Sequence, residues 1–525
     1  MSNVVKEVKQ KYELLIPTEI KQSIAVKNYE NLKIANHPNV SFYKQNMSTF
    51  EGKGAFVLLD FGKEICGGIR LFIRETEETA EFHIRLGESI TEAMTELGTK
   101  NAGNDHSPRD FNVKVSSLSD LTFGQSGFRF AFIELLSNSP VLVQNIFATN
   151  NLPDFPLEAK FETSDEELNK IINTAAYTLK LCCQNGYIWD GIKRDRLVWS
   201  GDMHQEILTS LYLFGDTVNI RNSLDFVKFD TNKDEWVNWI PSYSAWWIIN
   251  LCDYCKISNN NEYFTNNIDF AESILAKINS CIDNNGNINI KEAFMDYYLD
   301  WPTYESEDAF IGTVSLFIMA SKKILEFKEN SDAKDIISKL TSILENSKPK
   351  SKQAVAFKYL AGAEVDKITD IIEQGGAQGF STFMTYYLLT ADSLAGGENM
   401  LKIIKQYYGG MLRCGATTFW EDFSLEWLNG SGRIDEFPVA NQKDIHGDFG
   451  NHCYLNFRHS LCHGWSSGVI AFIVEHILGI KIEDGKLISI NPHLYDLKYI
   501  KAEIPIGNKM VKISVDEKNV IVDNI

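Results

Sequence analysis

The chain has 525 residues, a formal net charge of −19 and a hydrophobic fraction of 44%. Its length exceeds that of a single hydrophobic core, so we expect two or three domains. The negative charge disfavours nucleic acid and anionic membranes as partners, because like charges repel. The opening residues lack the apolar core of a signal peptide, and no stretch reaches the roughly 18 apolar residues that span a bilayer. We therefore expect a cytoplasmic protein, with homo-oligomerisation left open.

The cysteine and histidine patterns do not favour a metal site. The nine cysteines have no disulfide-framework spacing, so we expect free, mostly buried thiols in a reducing compartment. Cys252 and Cys255 form one CxxC without a second pair at zinc-ribbon spacing. Four histidines near the C-terminal end do not share one helical or strand face: His446, His452, His459 and His463. We predict neither a metal nor a cofactor.

Residues 1–160 read as short β-strands separated by turns. Residues 81–86 alternate apolar with polar side chains, as a strand with one buried face does. Other strands are predicted at 56–62, 67–74, 111–116, 127–136 and 141–148. Several short strands with intervening turns are typical of a β-sandwich.

The pattern changes to helices at about residue 162. Ser164 and Glu167 are spaced as a capping box, and apolar residues then recur at helical spacing. Further helices are predicted at 202–214, 217–229, 241–256, 264–282, 307–327, 333–346, 379–392, 397–407 and 465–478. About a dozen helices without a fixed repeat favour a toroid of paired helices. The predicted domains are a β-sandwich (1–160), a helical domain (161–482) and a small β domain (483–525), giving a mainly α, multidomain chain.

The segment from Tyr187 to Glu206 mixes charged and aromatic side chains. It reads YIWDGIKRDRLVWSGDMHQE and holds Asp190, Arg194, Asp195, Trp199 and Asp202. Such a mixture suits a pocket that grips a polar ring and carries out acid–base chemistry on it. A buried ion-pair network joining two helices is the structural alternative.

Three later segments repeat this mixture of acidic, histidine and aromatic residues. They are centred on Asp300-Trp301, on Trp420-Glu421 and on His463. Two carboxyl groups that face each other across a pocket can cleave a glycosidic bond, one as proton donor and the other as base or nucleophile. In a helical toroid, loops at one end converge on a central cavity. Asp300 is equally well explained as a helix-end residue.

The segment from Asp190 to Asp202 resembles the motif of family 78 glycoside hydrolases, the α-L-rhamnosidases. That motif has an Asp, then Arg, an acidic residue and Arg, then a Trp and Gly-Asp. Residues 415–421, GATTFWE, look like the second catalytic segment of the family. His463 resembles a later sugar-binding histidine. The likeness covers about 160–480 and extends loosely to the flanking β regions.

This resemblance implies an (α/α)6 barrel and an inverting hydrolase that releases terminal α-L-rhamnose without a cofactor. It implies that Asp195 is the general acid and Glu421 the general base. The implied sugar-binding residues, some placed only by rough spacing, are Asp190, Arg194, Trp199, Asp202, Trp246, Trp247, Trp301, Trp420 and His463.

The chain departs from the family motif at the acid. The family usually has Glu where this chain has Asp195, and Glu206 is the nearest alternative proton donor. Two other functions stay open. The first is a related barrel enzyme that hydrolyses or phosphorolyses another deoxy or uronic sugar, and the second is a catalytically silent carbohydrate-binding protein.

Overall fold

The computed structural model describes residues 9–232, 234–304, 306–452 and 454–524. In these residues the strands are β1 Gln10–Leu15, β2 Glu19–Ile24, β3 Val26–Lys27, β4 Ser48–Phe50, β5 Phe56–Thr76, β6 Ala80–Gly87, β7 Asp110–Val115, β8 Ser119–Leu135, β9 Val141–Pro153, β10 Lys160–Thr163, β11 Cys183–Gln184, β12 Tyr187–Ile188, β13 Ile480–Glu483, β14 Lys486–Ile490, β15 Tyr499–Ile506, β16 Lys509–Asp516 and β17 Val520–Asn524. The α-helices are α1 Ile90–Met94, α2 Glu166–Cys182, α3 Met203–Phe214, α4 Val218–Asp230, α5 Pro241–Ser258, α6 Asn261–Ser280, α7 Glu307–Phe327, α8 Ser331–Asn346, α9 Lys352–Leu360, α10 Ile368–Glu373, α11 Thr385–Leu394, α12 Met400–Arg413 and α13 Val469–Phe472. None of the described helices is long and apolar enough to cross a membrane.

The N-terminal strands pair into one antiparallel sheet around an apolar core. Its main order is β3-β4-β9-β5-β8-β6-β7, with β1 added to β9 and β2 to β5. The predicted strands at 56–62 and 67–74 are one long strand, because β5 continues through Gly62 with register shifts between Asp60 and Ile65. Gly62 has φ 79°, which lets the chain bulge there without ending the strand. The two-layered sandwich stays a prediction.

The first long helix begins one residue later than the capping box predicts. Asp165 is the N-cap of α2, and its Oδ1 accepts a hydrogen bond from Leu168 N at 2.9 Å. Ser164 instead uses its Oγ to accept from Lys498 N at 2.9 Å, so its side chain ties the C-terminal segment to this boundary. The predicted Ser164 cap is therefore wrong.

Six helices of the central region contact one another in a closed sequence. The contacts run α3-α5-α7-α9-α11-α13 and return from α13 to α3. Six other helices lie against members of this ring: α2 on α3 and α13, α4 on α5, α6 on α5, α8 on α7, α10 on α9 and α12 on α11. Every residue of α3 is buried, as expected of a helix surrounded by other elements.

All six predicted helices between 202 and 346 are confirmed to within about three residues. The prediction at 465–478 is only partly right, since residues 464–468 form a 3-10 turn and residues 473–477 a π turn around α13. Helices α9 and α10 were not predicted. The residues of α9 from 353 to 358 are all buried, Gln353 and Lys358 included, so its polar residues do not mark an exposed face.

The C-terminal strands form a small sheet with a strand from the start of the helical region. The order is β10-β15-β16-β17, and Lys160–Thr163 pairs with residues 500–503. Residues 160–163 thus join the sheet that the sequence assigned to the last domain. The three predicted domain boundaries stay predictions.

Candidate active site

A cavity of about 390 Å³ opens where several loops meet the N-terminal ends of the ring helices. The loops before α3, α5, α7 and α13 all contribute to its wall. The residues that line it are Asp190, Asp195, Trp199, Asp202, Asn238, Trp239, Ile240, Tyr243, Phe294, Met295, Tyr298, Trp301, Glu421, Tyr454, His463 and Trp465. Four segments that the sequence singled out are thereby brought to one place.

Arg194 connects the two carboxyl groups that were predicted to act as acid and base. Its Nη1 donates to Asp195 Oδ1 at 2.7 Å, and its Nη2 donates to both carboxyl oxygens of Glu421 at 3.0 Å. One guanidinium group thus lies between the two carboxyls. His106, on a loop of the N-terminal region, places its Nε2 3.4 Å from the same Asp195 Oδ1. Arg194 and His106 both contact Oδ1 of Asp195, whereas Oδ2 of Asp195 accepts no hydrogen bond from the described residues.

Glu421 is held rigidly and is almost completely buried. Its carboxyl also accepts from Ser460 N at 3.0 Å, while Trp465 Nε1 donates to its backbone carbonyl at 3.0 Å. Burial raises the pKa of Glu421, and the positive charge of Arg194 opposes that rise. The result is a carboxyl of fixed orientation with a raised proton affinity.

Asp190 organises the turn that carries Arg194 and Asp195. Its Oδ1 accepts from Leu197 N at 2.9 Å and its Oδ2 accepts from Asp195 N at 3.1 Å. Burial raises the pKa of Asp190 to about 7. Both oxygens are used inside the loop, so this residue fixes the backbone of the turn.

Asp202 and His463 form a second polar pair in the cavity. His463 Nε2 lies 3.3 Å from Asp202 Oδ2, and the Tyr243 hydroxyl donates to Asp202 Oδ1 at 3.2 Å. Burial raises the pKa of Asp202 to about 8 and lowers the pKa of His463. Asp202 therefore keeps a proton near neutral pH and can donate a hydrogen bond, for example to a sugar hydroxyl.

The structure brings only two of the predicted tryptophans, Trp199 and Trp301, to the cavity wall. Trp246 and Trp247 lie on α5 with both rings buried: Trp246 stacks on His204, and Trp247 packs edge-on against Phe270. Neither faces the cavity, because both sides of this ring helix are covered by other helices.

Trp420 is also misplaced by the sequence prediction. Its indole is fully buried, packs against Phe423 and His459, and is not among the residues that line the cavity.

Glu206 is not placed to donate a proton to a bound substrate. It is fully buried on α3, does not line the cavity, and packs its carboxyl against Gly464. A Cβ at position 464 would lie 2.1 Å from Glu206 Oε1, so only glycine fits there. Burial, with Asp202 and Asp190 nearby, raises the pKa of Glu206 well above its usual value. Its role as an alternative acid is disfavoured by this position.

Asp300 lines a smaller neighbouring cavity of about 180 Å³, which shares Glu421 and Trp301 with the first. Its Oδ1 accepts from Trp301 N at 2.9 Å, which caps the short 3-10 turn at Trp301–Thr303. Burial raises the pKa of Asp300 to about 7. The helix-end interpretation accounts for the bond to Trp301 N, while Oδ2 accepts from Ser381 Oγ at 2.5 Å, outside this turn.

Sequence reasoning missed several residues of the wall. Tyr243, Tyr454 and Trp239 line the cavity but belong to no recognised motif, whereas Phe294 and Tyr298 lie in the segment around Asp300-Trp301 and were not named as site residues. Each lies within a few residues of a predicted helix start or a charged segment, which was the available signal. His106 could not be found, since its loop precedes the helical region by some 60 residues and no local pattern marks it.

Lys193, the neighbour of Arg194, belongs to a separate buried cluster between the N-terminal sheet and the helical region. Its Nζ lies 2.9 Å from Glu88 Oε2 and 3.2 Å from Glu92 Oε1, and it donates to the carbonyl of His459 at 2.7 Å. Glu88 in turn accepts from Leu461 N at 2.7 Å. This group of side chains, called here the Lys193 cluster, joins the sheet to the segment that leads to His463.

Glu88, Glu92 and His446 lie close enough to hold a metal ion, with one ligand atom from each within 4.8 Å of the others. Both ring nitrogens of His446 are already used: Nδ1 is 2.8 Å from Ser89 Oγ and Nε2 is 2.9 Å from the carbonyl of His459. A carbonyl only accepts, so Nε2 carries a proton and cannot ligate. The Lys193 ammonium supplies the positive charge that balances these carboxyls.

Residues 157–310 match the family model of the bacterial alpha-L-rhamnosidase 6 hairpin glycosidase domain. No curated protein matches the sequence of the chain. The match covers the first of the two motifs and confirms the predicted resemblance to family 78 α-L-rhamnosidases. It ends before Glu421.

Solved rhamnosidases share the fold across most of this chain. A family 78 rhamnosidase of Bacillus sp. GL1 superposes with a TM-score of 0.72 at 19% identity, over 95% of this chain and 54% of that one. A Klebsiella oxytoca rhamnosidase with rhamnose bound gives a TM-score of 0.69 at 17% identity, over 89% of this chain and 96% of that one. A Streptomyces avermitilis α-L-rhamnosidase complexed with L-rhamnose gives 0.68 at 12% identity, over 98% and 49%. The chain thus spans about half the length of two of these proteins, and the fold is that of a six-hairpin glycosidase.

Proposed function

We propose that this protein is an exo-acting glycoside hydrolase that releases terminal α-L-rhamnose by general acid and general base catalysis. The observation that carries the proposal is the position of Asp195 and Glu421 on one cavity, joined through Arg194. The match of residues 157–310 to a rhamnosidase domain supports the choice of sugar. The closed ring of six helices supports an (α/α)6 barrel as the arrangement of the helical domain.

In the proposed reaction, Glu421 removes a proton from a water molecule, which attacks the anomeric carbon of rhamnose. Its raised proton affinity suits a base, and Arg194 and Ser460 N keep its carboxyl aimed in one direction. Asp195 donates a proton from Oδ2 to the departing glycosidic oxygen as the bond to the anomeric carbon breaks. The products are L-rhamnose and the free alcohol.

The guanidinium between the two carboxyls supports an inverting reaction. Inverting glycosidases keep their carboxyl groups about 6.5–9.5 Å apart so that water fits between the sugar and the base. Because Arg194 binds Asp195 with one terminal nitrogen and Glu421 with the other, the two carboxyls are held apart. Rhamnose with inverted, β configuration would be formed first.

The remaining lining groups suit a 6-deoxy sugar. Asp202 and His463 can exchange hydrogen bonds with ring hydroxyls, and Trp199 and Trp301 present apolar surface to the ring and its methyl group. Pockets that combine an apolar wall with a few placed polar groups are typical of small-molecule sites.

Proton NMR of 4-nitrophenyl α-L-rhamnoside hydrolysis, with and without phosphate, tests this function. We expect β-L-rhamnose as the first product and no dependence on phosphate. An α first product would contradict inversion, and phosphate-dependent release would indicate a phosphorylase. Binding of rhamnose without any product after long incubation would identify a silent binding protein.

A further inference from the structure

Strand β17 forms an uncovered edge of the small C-terminal sheet. It pairs with β16 on one side, and among the described strands none pairs with its other side. Alternate N–H and C=O groups of an edge strand point away from the sheet, where they can bind another strand. The opposite edge of this sheet, β10, presents the charged side chains of Lys160 and Glu162, which disfavour such pairing. The sequence of β17, VIVDN, has one charge in five residues.

The apolar side chains of β17 are exposed although their neighbours on β16 are buried. Val520 and Val522 lie on the inner face of the sheet, paired with Val515 and Ile513, which are each 1% exposed. Val520 is nevertheless 47% exposed and Val522 41%, so the cover over β16 does not extend to β17. Ile521, on the outer face, is 54% exposed. Natural proteins usually avoid three consecutive exposed apolar residues on an edge strand unless another chain covers them.

The side chains of β17 complement a second copy of β17 in one antiparallel register. In a symmetric antiparallel pair one residue faces its own copy, because the twofold axis passes through the sheet at that position. With the axis at Ile521, the two Ile521 side chains meet on the outer face. Val520 of each copy then faces Val522 of the other on the inner face. Asp523 faces Asn519, the residue before the strand, so no like charges meet.

The neighbouring registers are less complementary. An axis at Val522 would place Asp523 opposite Ile521, and an axis at Val520 would place Lys518 opposite Val522. Either arrangement would remove a charged group from water beside an apolar side chain, which costs free energy without a compensating contact. The sequence of β17 therefore selects the register that is centred on Ile521.

The outer face of the sheet carries a row of alternating charges that ends at this edge. The row crosses the four strands through Lys160, Glu503, Lys512 and Asp523. Lys512 Nζ lies 3.2 Å from Glu503 Oε1, and Lys160 Nζ lies 3.7 Å from Glu503 Oε2. In the register centred on Ile521, the row would continue from Asp523 to the Asn519 amide of the second copy, which can donate a hydrogen bond.

We propose that this protein forms a symmetric dimer in which two copies of β17 pair antiparallel about Ile521. The pairing joins two four-stranded sheets into one of eight strands. The inference does not depend on the proposed glycosidase function. No described residue of β15, β16 or β17 lines the cavity, so each copy keeps its own cavity open. The contact is a single strand pair, so we expect weak association with a Kd of about 1–100 µM.

Analytical ultracentrifugation over a series of protein concentrations tests this dimer. Ile521→Lys should raise the dimer Kd at least about tenfold, because it removes the apolar contact at the axis and places two like charges opposite each other. Ile488→Lys, on β14, is the matched control, since Ile488 is 53% exposed and belongs to another sheet. It should leave the Kd unchanged. Melting temperatures close to that of the wild type would show that both variants fold.

A charge-swap experiment tests the register. A mixture of Ile521→Lys and Ile521→Glu should form a mixed dimer more tightly than either variant associates with itself, because opposite charges then face each other. Weakening in both variants without recovery in the mixture would overturn the register. A dimer that Ile521→Lys does not weaken would place the contact on another surface and overturn the proposal. A wild type that stays monomeric up to several hundred micromolar would also overturn it, and would leave the β17 edge to a strand of another protein.

Discussion

Lys193 and Arg194 are consecutive residues whose cationic groups enter two different clusters of charge. In the Lys193 cluster the ammonium meets two carboxyls and backbone carbonyls, and the cavity does not include any of them. In the cavity, Arg194 meets Asp195 and Glu421, whose carboxyls line an opening of about 390 Å³.

The two clusters differ in role: the Lys193 cluster stabilises the fold, whereas the cavity around Arg194 can bind and react with a ligand. The Lys193 cluster is closed by hydrogen bonds from both regions of the chain, so its charges have no room for a ligand. The cavity leaves polar atoms without hydrogen bonds to the described residues, including His463 Nδ1 and Asp195 Oδ2. Buried charge that is fully paired holds structures together, whereas buried charge with spare capacity is typical of a site that binds and reacts.

Removing the charge of Glu421 should have the largest effect on the cavity side. Glu421→Gln keeps the shape of the side chain but cannot accept a proton, so kcat should fall about 10²- to 10⁴-fold. The melting temperature should stay close to that of the wild type. Glu426→Gln changes an exposed acid five residues away and should leave turnover unaltered. Wild-type turnover in Glu421→Gln would remove the base from the proposed mechanism.

Removing the ammonium of Lys193 tests the other side of the comparison. Lys193→Met leaves Glu88 and Glu92 buried without their cation, which should lower the free energy of unfolding by about 3–5 kcal/mol. Lys27→Met breaks an exposed pair with Glu51 and should cost at most about 1 kcal/mol. Urea unfolding followed by tryptophan fluorescence measures both. Equally small losses of unfolding free energy in the two variants would mean that the Lys193 cluster does not stabilise the fold.

The pH dependence of stability should reflect the carboxyl of Asp202. Its pKa is raised to about 8 in the folded protein, so between about pH 4 and pH 8 the folded state keeps a proton that the unfolded state loses. Stability from this group is therefore complete below pH 4 and is lost as the pH rises through 8. Asp202→Asn should reduce the fall of the unfolding free energy with rising pH by up to about 1.4 kcal/mol per pH unit. Urea midpoints at pH 5, 6 and 7 measure the slope, and an unchanged slope would contradict the assignment.

Local sequence patterns predicted the features that depend on neighbouring residues, namely the amphipathic helices and the two motif segments. Amphipathic spacing found α6 and α8, each of which has one buried and one exposed face. The motif around Asp195 and the segment at Glu421 were found by resemblance, although the Glu421 carboxyl binds an arginine 227 positions earlier. Charge and aromatic content marked both segments as unusual.

Side-chain direction and long-range partners could not be predicted in the same way. On α5 every residue from Pro241 to Cys255 is buried, so nothing in the sequence distinguishes the core-facing Trp246 and Trp247 from a cavity-facing tryptophan. Trp239 was missed because its outward direction is set by a left-handed turn and not by periodicity. The partners of Lys193 lie in another region of the chain, beyond the reach of any local pattern.

The smallest effect should come from the point where the N-terminal region touches the cavity. His106 Nε2 lies 3.4 Å from Asp195 Oδ1, and its side chain is 33% exposed. His106→Ala should lower kcat at most about fivefold, because a partly exposed charge contact contributes up to about 1 kcal/mol. His493→Ala removes a surface contact to Glu398 of similar length and should have no effect on kcat. Arg194 would still hold Asp195 in this variant. A loss of kcat as large as that of Glu421→Gln would therefore show that the proton donor depends on the N-terminal region. His106 would then belong to the catalytic site and not only to the contacts that stabilise the fold.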